Sequence, residues 1–292
     1  MSDLRRIVVH VSDSPHAREV ALWAAALAGE HGAGLEAVHA VEATPAAAYL
    51  TPEATTIATQ LSMDSDRGRM EQARLLADEI AAERGRPLPF ESVLGDPLPT
   101  LLRHVRCADL LVLGQHDPET PDGTEPGLAG RLLMAAGCPL LFVPHTDGHG
   151  GQRPRAVRRV LLAWNGSRES ARALRDALPL LRRATSVDLV RYVRGDDEVP
   201  SLEPLKAYLA AHGVHAACSL QRSREPSIAE RLLSPWTPDA PVAEALLSRA
   251  ADVDADLIVI GGYGHARAWE MALGGVTRTL LQSMTVPVLM SH

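Results

Sequence analysis

Four glycines near the end of the chain stand at spacings that suit the binding of phosphate. The apolar run DLIVIG ends at Gly261, further glycines stand at Gly264, Gly274 and Gly275, and a helical pattern, VTRTLLQSM, follows. Glycine lets the backbone approach a ligand closely and can adopt positive φ. A helix start adds unpaired N–H groups and the positive end of the helix dipole. This pattern indicates an anion held by main-chain amides.

The same glycines have a structural explanation that the spacing leaves equally open. A tight exit from a strand and a close approach of a helix also require residues without a side chain. A spaced-glycine pattern alone therefore does not decide between a ligand and packing.

The elements that must position these glycines occur twice in the chain. Three pairs of segments match in order and at nearly the same offset: RRIVVHVSDS (5–14) with RRVLLAWNGS (158–167), ADLLVLG (108–114) with ADLIVIG (255–261), and CPLLFVPH (138–145) with VPVLMSH (286–292). The chain therefore contains two copies of one domain. We place the domains at 1–146 and 155–292, joined by a linker rich in Gly and Pro.

Each copy alternates short apolar runs with helical patterns. The runs are apolar at most consecutive positions, as in parallel strands that are covered on both faces. We therefore predict an α/β fold of two tandem, doubly wound, five-stranded parallel sheets, each a Rossmann-like α/β/α sandwich. The predicted strands are 6–12, 34–41, 89–94, 109–114, 139–143, 159–164, 186–193, 214–220, 256–261 and 286–290, and the predicted helices are 15–31, 53–84, 97–106, 126–136, 168–183, 202–212, 241–252 and 273–283.

Ligands of such sheets bind beyond the carboxyl ends of the strands, where the strand order reverses. In the second copy the first strand ends near Asn165 and the fourth ends at Gly261, so both residues belong to this edge. Ser14 and Ser167 follow the first strand of each copy and are predicted to cap the next helix.

These residues resemble the universal stress protein family. The pattern G-x2-G-x9-G after a fourth strand, the closing PVLM, and AWNGSRESARAL at 163–174 are similar to its tandem, UspA-like bacterial members. The resemblance implies a stress-response protein that binds ATP or AMP, with Mg²⁺ accompanying ATP, and that acts as a sensor or signalling module. The alternative is an interaction or regulatory protein of the same fold without bound nucleotide.

The resemblance also assigns residues in the second copy. The phosphate-contacting glycines of the family fall on Gly261, Gly264 and Gly274, and the polar residue that closes the first strand falls on Asn165, where the family usually has Asp. In the family, the residue after the third glycine is usually Ser or Thr, whose hydroxyl contacts phosphate. This chain has Gly275 at that position, so the backbone N–H is kept but the hydroxyl is missing. Thr277 and Arg278 are candidates to replace it.

Four further residues fall where the family lines the pocket for the base. Ordinary packing at strand ends explains these residues equally well. These residues are Ala163, Tyr192, Ile260 and Val276.

The first copy departs from this pattern. Gly114 is present, but Asp117 stands where the second glycine belongs. The third glycine position falls on Gly127 when counted forward from Gly114, and on Pro126 when counted back from the fifth strand. A carboxylate there repels phosphate. We therefore predict no nucleotide in this copy. A metal site of His116, Asp117 and Asp122 is conceivable, but we predict no metal.

We find no motif for catalysis. There is neither a G-x-S-x-G elbow nor a P-loop, so we predict no enzyme, and weak ATP hydrolysis ranks third among the functions. The formal net charge of −7 argues against a nucleic-acid partner. Three widely spaced cysteines fit reduced core thiols, and without an apolar leader or a membrane-length apolar run we expect a cytoplasmic location and no membrane partner.

Two further expectations concern assembly and an inserted segment. The strands at 139–143 and 287–291 are edge candidates that we predict to pair antiparallel, so that the two domains form an intramolecular pseudo-dimer. Association of two chains into a homodimer stays open. The segment 222–241 has no counterpart in the first copy and is either a lid or a surface loop that packs Trp236.

Overall fold

The computed structural model describes residues 3–44, 51–119, 127–145, 156–193, 201–222, 240–262 and 275–292. The chain divides into two compact units, which we call the N-terminal unit, Leu4–Ala136, and the C-terminal unit, Gly137–His292 together with Asp3. Each repeat contributes five strands. The domain limits at 146 and 155 stay a prediction, because residues 146–155 lie outside the described part of the chain.

The N-terminal unit contains a parallel sheet in the order β3-β2-β1-β4. Helices cover both faces of this sheet. On one face, Glu36 of β2 forms a hydrogen bond with His104 of α3. His39 lies three residues further along β2, so its side chain is on the opposite face, on the side of α2. The elements of this unit are β1 (Arg6–His10), α1 (Ala17–His31), β2 (Gly34–Val41), α2 (Pro52–Arg84), β3 (Phe90–Leu94), α3 (Pro97–Val105), β4 (Leu110–Gly114) and α4 (Leu128–Ala135).

The C-terminal unit contains six strands in the order β5-β10-β9-β6-β7-β8. All neighbours pair parallel except β5 and β10, which pair antiparallel with Leu141 opposite Leu289. The antiparallel pairing that we predicted for these two strands is confirmed. The elements of this unit are β5 (Leu140–Val143), β6 (Arg159–Ala163), α5 (Arg168–Leu181), β7 (Ser186–Val193), α6 (Glu203–Ala211), β8 (Ala216–Arg222), α7 (Ala240–Asp252), β9 (Leu257–Gly261), α8 (Gly275–Ser283) and β10 (Val288–Ser291).

The predicted α/β fold class, with a mostly parallel sheet and alternating helices in two tandem copies, is confirmed. The central strands are apolar and closed to solvent, as Ile7 and Leu110 in one unit and Leu161 and Leu257 in the other show at 0% exposure. Burial on both faces explains why these runs show no alternation in sequence. The edge strands β3 and β8 are only partly buried.

The two repeats differ most in the helix that follows their second strand. Helix α2 has 33 residues, whereas its counterpart α6 has nine. Among the described residues we find no helix that is both long and apolar enough to cross a bilayer. The inserted segment at 222–241 lies outside the described residues except at its two ends, in β8 and α7.

Of the two predicted helix caps, one is confirmed and one is wrong. The Oγ of Ser167 accepts a hydrogen bond from the N–H of Ser170 at 3.1 Å and caps α5. Ser14 does not cap α1, because a turn precedes this helix and the hydroxyl reaches only the N–H of His16 at 3.2 Å.

The cysteines are free thiols, as predicted, but our expectation of core thiols is wrong, since Cys107 is exposed and Cys138 and Cys218 are only half-buried.

Candidate functional site

The carboxyl ends of β7, β6 and β9 form one edge of the C-terminal sheet, because these strands are parallel neighbours. Ala163 ends β6 and is buried, Tyr192 stands next to the end of β7, and Ile260 and Gly261 end β9. The topology therefore brings four of the sequence-predicted residues to the edge where ligands of doubly wound sheets bind.

Helix α8 supplies three more of the predicted residues. Gly275, Val276 and Thr277 form its first turn, in which Gly275 and Thr277 are buried and Val276 is half-buried. The first turn of a helix carries N–H groups without intrahelical partners, so this turn is suited to an anion. Gly264 and Gly274, the other two predicted glycines, lie outside the described residues.

Gly261 has a packing role that the spacing alone could not establish. A Cβ added at Gly261 would lie 2.5 Å from the carbonyl carbon of Glu169 and 2.9 Å from the Cβ of Glu169. The backbone nitrogen of Ser170 would be closer than either of these atoms. The first turn of α5 therefore lies directly on the end of β9. The φ of Gly261 is not positive, so the left-handed conformation that glycine permits is not used here. Gly261 is needed for close helix–strand packing, a role that glycine also has in dinucleotide-binding folds.

Two polar groups at this edge already have internal partners. The Oδ1 of Asn165 accepts a hydrogen bond from the N–H of Ser167 at 2.9 Å. The N–H of Gly262 donates to the carbonyl of Ser291 at 2.9 Å. These groups stabilise the strand exits, and the exposed Asn165 retains its amide NH₂ as a donor toward the edge.

Tyr192 also has an internal partner. Its hydroxyl donates to the carbonyl of Ala245 in α7 at 3.0 Å, and burial raises the pKa of the phenol. The ring is therefore fixed between β7 and α7, which is the packing role we considered alongside the base pocket.

Sequence reasoning missed Glu169, an acidic residue in the first turn of α5. Only 11% of its side chain is exposed. Burial opposes its ionisation, but hydrogen bonds from its own N–H and from the Ser167 hydroxyl, with Arg168 nearby, lower the pKa of the carboxyl below its ordinary value. The signal in sequence is an acidic side chain two residues after a serine cap.

The corresponding edge of the N-terminal unit is filled by its own polar side chains. The ring of His39, fully buried on β2, lies between the Oγ of Ser92 at 2.8 Å and the Oδ1 of Asp13 at 2.9 Å. Arg69 of α2 donates to Asp13 at 2.9 Å and to Asp66 at 2.6 Å. We call these five residues the first-repeat cluster.

The first-repeat cluster contains a serine–histidine–carboxylate line, but its electrostatics favour a structural role. In hydrolytic triads the carboxylate stabilises the imidazolium that forms during catalysis. Here the guanidinium of Arg69 pairs with Asp13 on its far side, which weakens that stabilisation. The cluster instead anchors α2 to β1 and β2.

The altered loop of the first repeat is described only in part. The Oδ1 of Asp117 accepts a hydrogen bond from the N–H of Glu119 at 2.9 Å, and Gly127 directly precedes α4. No group of three or more metal-ligating side chains occurs among the described residues, and Asp122 lies outside them.

Comparison with known proteins agrees with this architecture, a doubly wound α/β fold made twice. A model of the universal stress protein family matches residues 3–144 and 156–292, one match for each repeat. The chain therefore belongs to the universal stress protein family, as the sequence resemblance implied.

Relatives match this chain over almost its whole length. Universal stress proteins of Mycobacterium bovis and Mycobacterium tuberculosis are each 27% identical over 302 residues, covering 98% of this chain and 96% of the relative. Among solved structures, a universal stress protein from Archaeoglobus fulgidus aligns with a TM-score of 0.69 at 14% identity, covering 99% of this chain and 96% of that one. A structure from Pseudomonas aeruginosa gives a TM-score of 0.56 at 16% identity, with 99% and 93% covered. At these identities the structures support the fold alone.

Proposed function

We propose that this universal stress protein binds an adenine nucleotide, ATP or AMP, at the carboxyl edge of its C-terminal sheet. The observation that carries the proposal is that β6, β7 and β9 are parallel neighbours with their carboxyl ends at one edge, and that α8 connects β9 to the parallel strand β10, so that the helix starts on the side of that edge. Main-chain amides of α8 would bind phosphate, and Ala163 at the end of β6 would lie against the base. The role of such a site is sensing or signalling rather than turnover.

Magnesium enters this proposal only with ATP. Mg²⁺ is usually bound through substrate phosphates and few protein carboxylates, so it needs no dedicated protein site. This fits the lack of a metal-ligating cluster among the described residues.

A second function, interaction with another protein without any nucleotide, is favoured by two observations. The Oδ1 of Asn165 is engaged by Ser167, and Gly275 lacks the hydroxyl that the family places there. Each difference removes a polar contact that a nucleotide would otherwise use.

Isothermal titration calorimetry on the intact chain separates the two functions. We expect saturable binding of ATP or AMP at one site per chain, and its loss in Gly264→Asp, where a carboxylate replaces a bare backbone. Gly68→Asp is the matched control, because it makes the same change on α2, where an added Cβ meets nothing within 4 Å.

Absence of binding by either nucleotide would contradict the proposal and support the interaction protein. Binding that survives Gly264→Asp would place the ligand elsewhere. Release of phosphate from ATP over hours, measured on the same samples, tests the weak hydrolysis that we rank third.

A further inference from the structure

The long helix α2 carries an exposed apolar stripe on its outward side. Ala73 and Ile80 are buried and mark the inward side of the helix. At 3.6 residues per turn, Ile57, Leu61 and Leu75 lie on the opposite side, where they are 63%, 65% and 49% exposed. Large apolar side chains on one exposed face are typical of a surface that binds another protein.

Gly68 stands at the centre of this stripe. It follows Leu61 by seven residues and precedes Leu75 by seven, so the three residues share one face of the helix. Glycine is less favourable than alanine in an exposed helix interior. Packing does not explain it, because an added Cβ at Gly68 would meet no atom of the described residues within 4 Å. A bare backbone at this position suits the close approach of a second helix.

We propose that α2 is the interface through which two copies of this chain associate, with the two helices antiparallel about a two-fold axis at Gly68. In such a pair, each contact between two residues occurs twice. Leu61 and Leu75 are equally far from the axis on opposite sides, so Leu61 of one copy lies beside the partner's Leu75. Both leucines of both copies are thereby buried. This proposal is independent of the nucleotide site.

The charges beside the stripe complement each other in the same arrangement. One flank of α2 carries Asp64, Arg67, Glu71 and Arg74, whose side chains are all at least half exposed. A two-fold axis at Gly68 brings this flank against the same flank of the partner.

The helical rise gives the pairs of charges that meet there. Arg67 lies within about 3 Å of the partner's Glu71 along the helix direction, and Asp64 lies equally near the partner's Arg74. The two copies of Arg67 also approach each other, but a Glu71 stands on either side of them and compensates their charge. Opposite charges thus face each other, which favours a second copy of this chain as the partner.

The size of the contact predicts a reversible dimer. The segment from Ile57 to Glu79 is about 33 Å long, and a strip about 10 Å wide along it buries about 700 Å² in total over the two copies. Stable interfaces bury about 1,200 Å² or more, and smaller ones belong to weak complexes. We therefore expect a dissociation constant of about 10–100 µM.

Sedimentation velocity on the intact chain, from about 1 to 500 µM, tests the proposal. The weight-average mass should rise from the 31.3 kDa of one chain toward twice that value. Leu61→Glu should weaken the dimer at least about 100-fold, because each dimer contains the change twice. Met63→Glu is the matched control, since it places the same charge at a residue of α2 that is 48% exposed but lies away from the stripe.

Two further experiments test the geometry at Gly68. Gly68→Ala should raise the thermal stability of the monomer, because alanine favours the helix, and should weaken the dimer about tenfold, because its Cβ separates the two helices. Arg67→Glu should weaken the dimer about tenfold at low salt. Adding Glu71→Arg to that variant should restore the dimer, because the exchange keeps opposite charges across the axis.

Three results would overturn the proposal. A chain that stays monomeric up to about 500 µM would leave the stripe to a different protein. A dimer that Leu61→Glu and Met63→Glu weaken equally would have its interface elsewhere. A charge exchange that fails to restore the dimer would exclude an axis at Gly68. No residue of the proposed nucleotide site lies on α2, so loss of the dimer should leave nucleotide binding unchanged.

Discussion

Replacing Gly261 by alanine tests the contact that defines the edge of the C-terminal sheet. The added Cβ would lie 2.5 Å from the carbonyl carbon of Glu169 and would also meet its Cβ and the nitrogen of Ser170. Two of the three atoms are backbone, so they cannot rotate away as the tip of a side chain can. Either α5 must shift from β9, or β9 must bend.

The matched position in the first repeat sets the scale. Gly114 ends β4 as Gly261 ends β9, and its added Cβ would meet only the Cγ2 of Val20, at 3.2 Å. Overpacking a well-packed core costs about 1–3 kcal/mol, and we place Gly261→Ala at about 3 kcal/mol because backbone must move. Gly114→Ala should cost under about 1 kcal/mol, because a methyl group can move by a few tenths of an ångström.

Urea unfolding, followed by circular dichroism and by hydrogen exchange of peptides from each unit, measures both costs. For slopes of about 2 kcal/mol/M, Gly261→Ala should lower the midpoint of the C-terminal unit by about 1.5 M. Gly114→Ala should lower that of the N-terminal unit by less than about 0.5 M. A Gly261→Ala protein as stable as Gly114→Ala would refute the packing argument, and a ligand would then remain as the reason for this glycine.

Two further predictions concern the buried polar groups of the N-terminal unit. Arg69→Met removes the cation that pairs with Asp13 and Asp66, so it should lower the free energy of unfolding in urea by about 3 kcal/mol. Arg67→Met changes a side chain that is 69% exposed and should lower it by less than about 0.5 kcal/mol. Equal losses in the two variants would contradict the structural role of the first-repeat cluster. The pKa of His10 is lowered from 6.5 to about 4, mainly by burial and also by the neighbouring His39, although the hydrogen bond to Ala40 opposes the shift. The unfolded chain therefore binds the proton first, and stability should fall by about 3 kcal/mol as the pH drops from 6.5 to 4, with no loss from this group above 6.5. Unfolding curves of wild type and His10→Gln should diverge in that window, and parallel curves would show that the histidine is not buried in its neutral form.

Local patterns were sufficient for the elements of this protein. The limits predicted for two strands, 34–41 and 186–193, match β2 and β7, because a run of apolar residues bounded by polar turns is a property of neighbours in sequence. The cap by Ser167 was predictable for the same reason, since its partner is three residues away. Ser14 has the same sequence signal and fails, because the preceding turn moves the start of α1 to Ala17.

Repetition and strand edges also predicted one long-range contact. The fifth strands of the two copies were recognisable as sheet edges, and edges with unpaired backbone groups seek a partner. The antiparallel pairing of β5 with β10 follows from that general requirement.

The sequence by itself determined the repeat, the fold class and the family, and it placed the candidate site at one edge of the second sheet. The tertiary structure decided what individual residues do there. Gly261 is glycine because α5 lies against it, and the same contact buries Glu169 beside the cap, where hydrogen bonds lower the pKa of its carboxyl despite the burial. Asp13, His39, Arg69 and Ser92 meet across as many as 79 positions of sequence. Such contacts depend on where distant elements pack, and no periodicity in a local window records that.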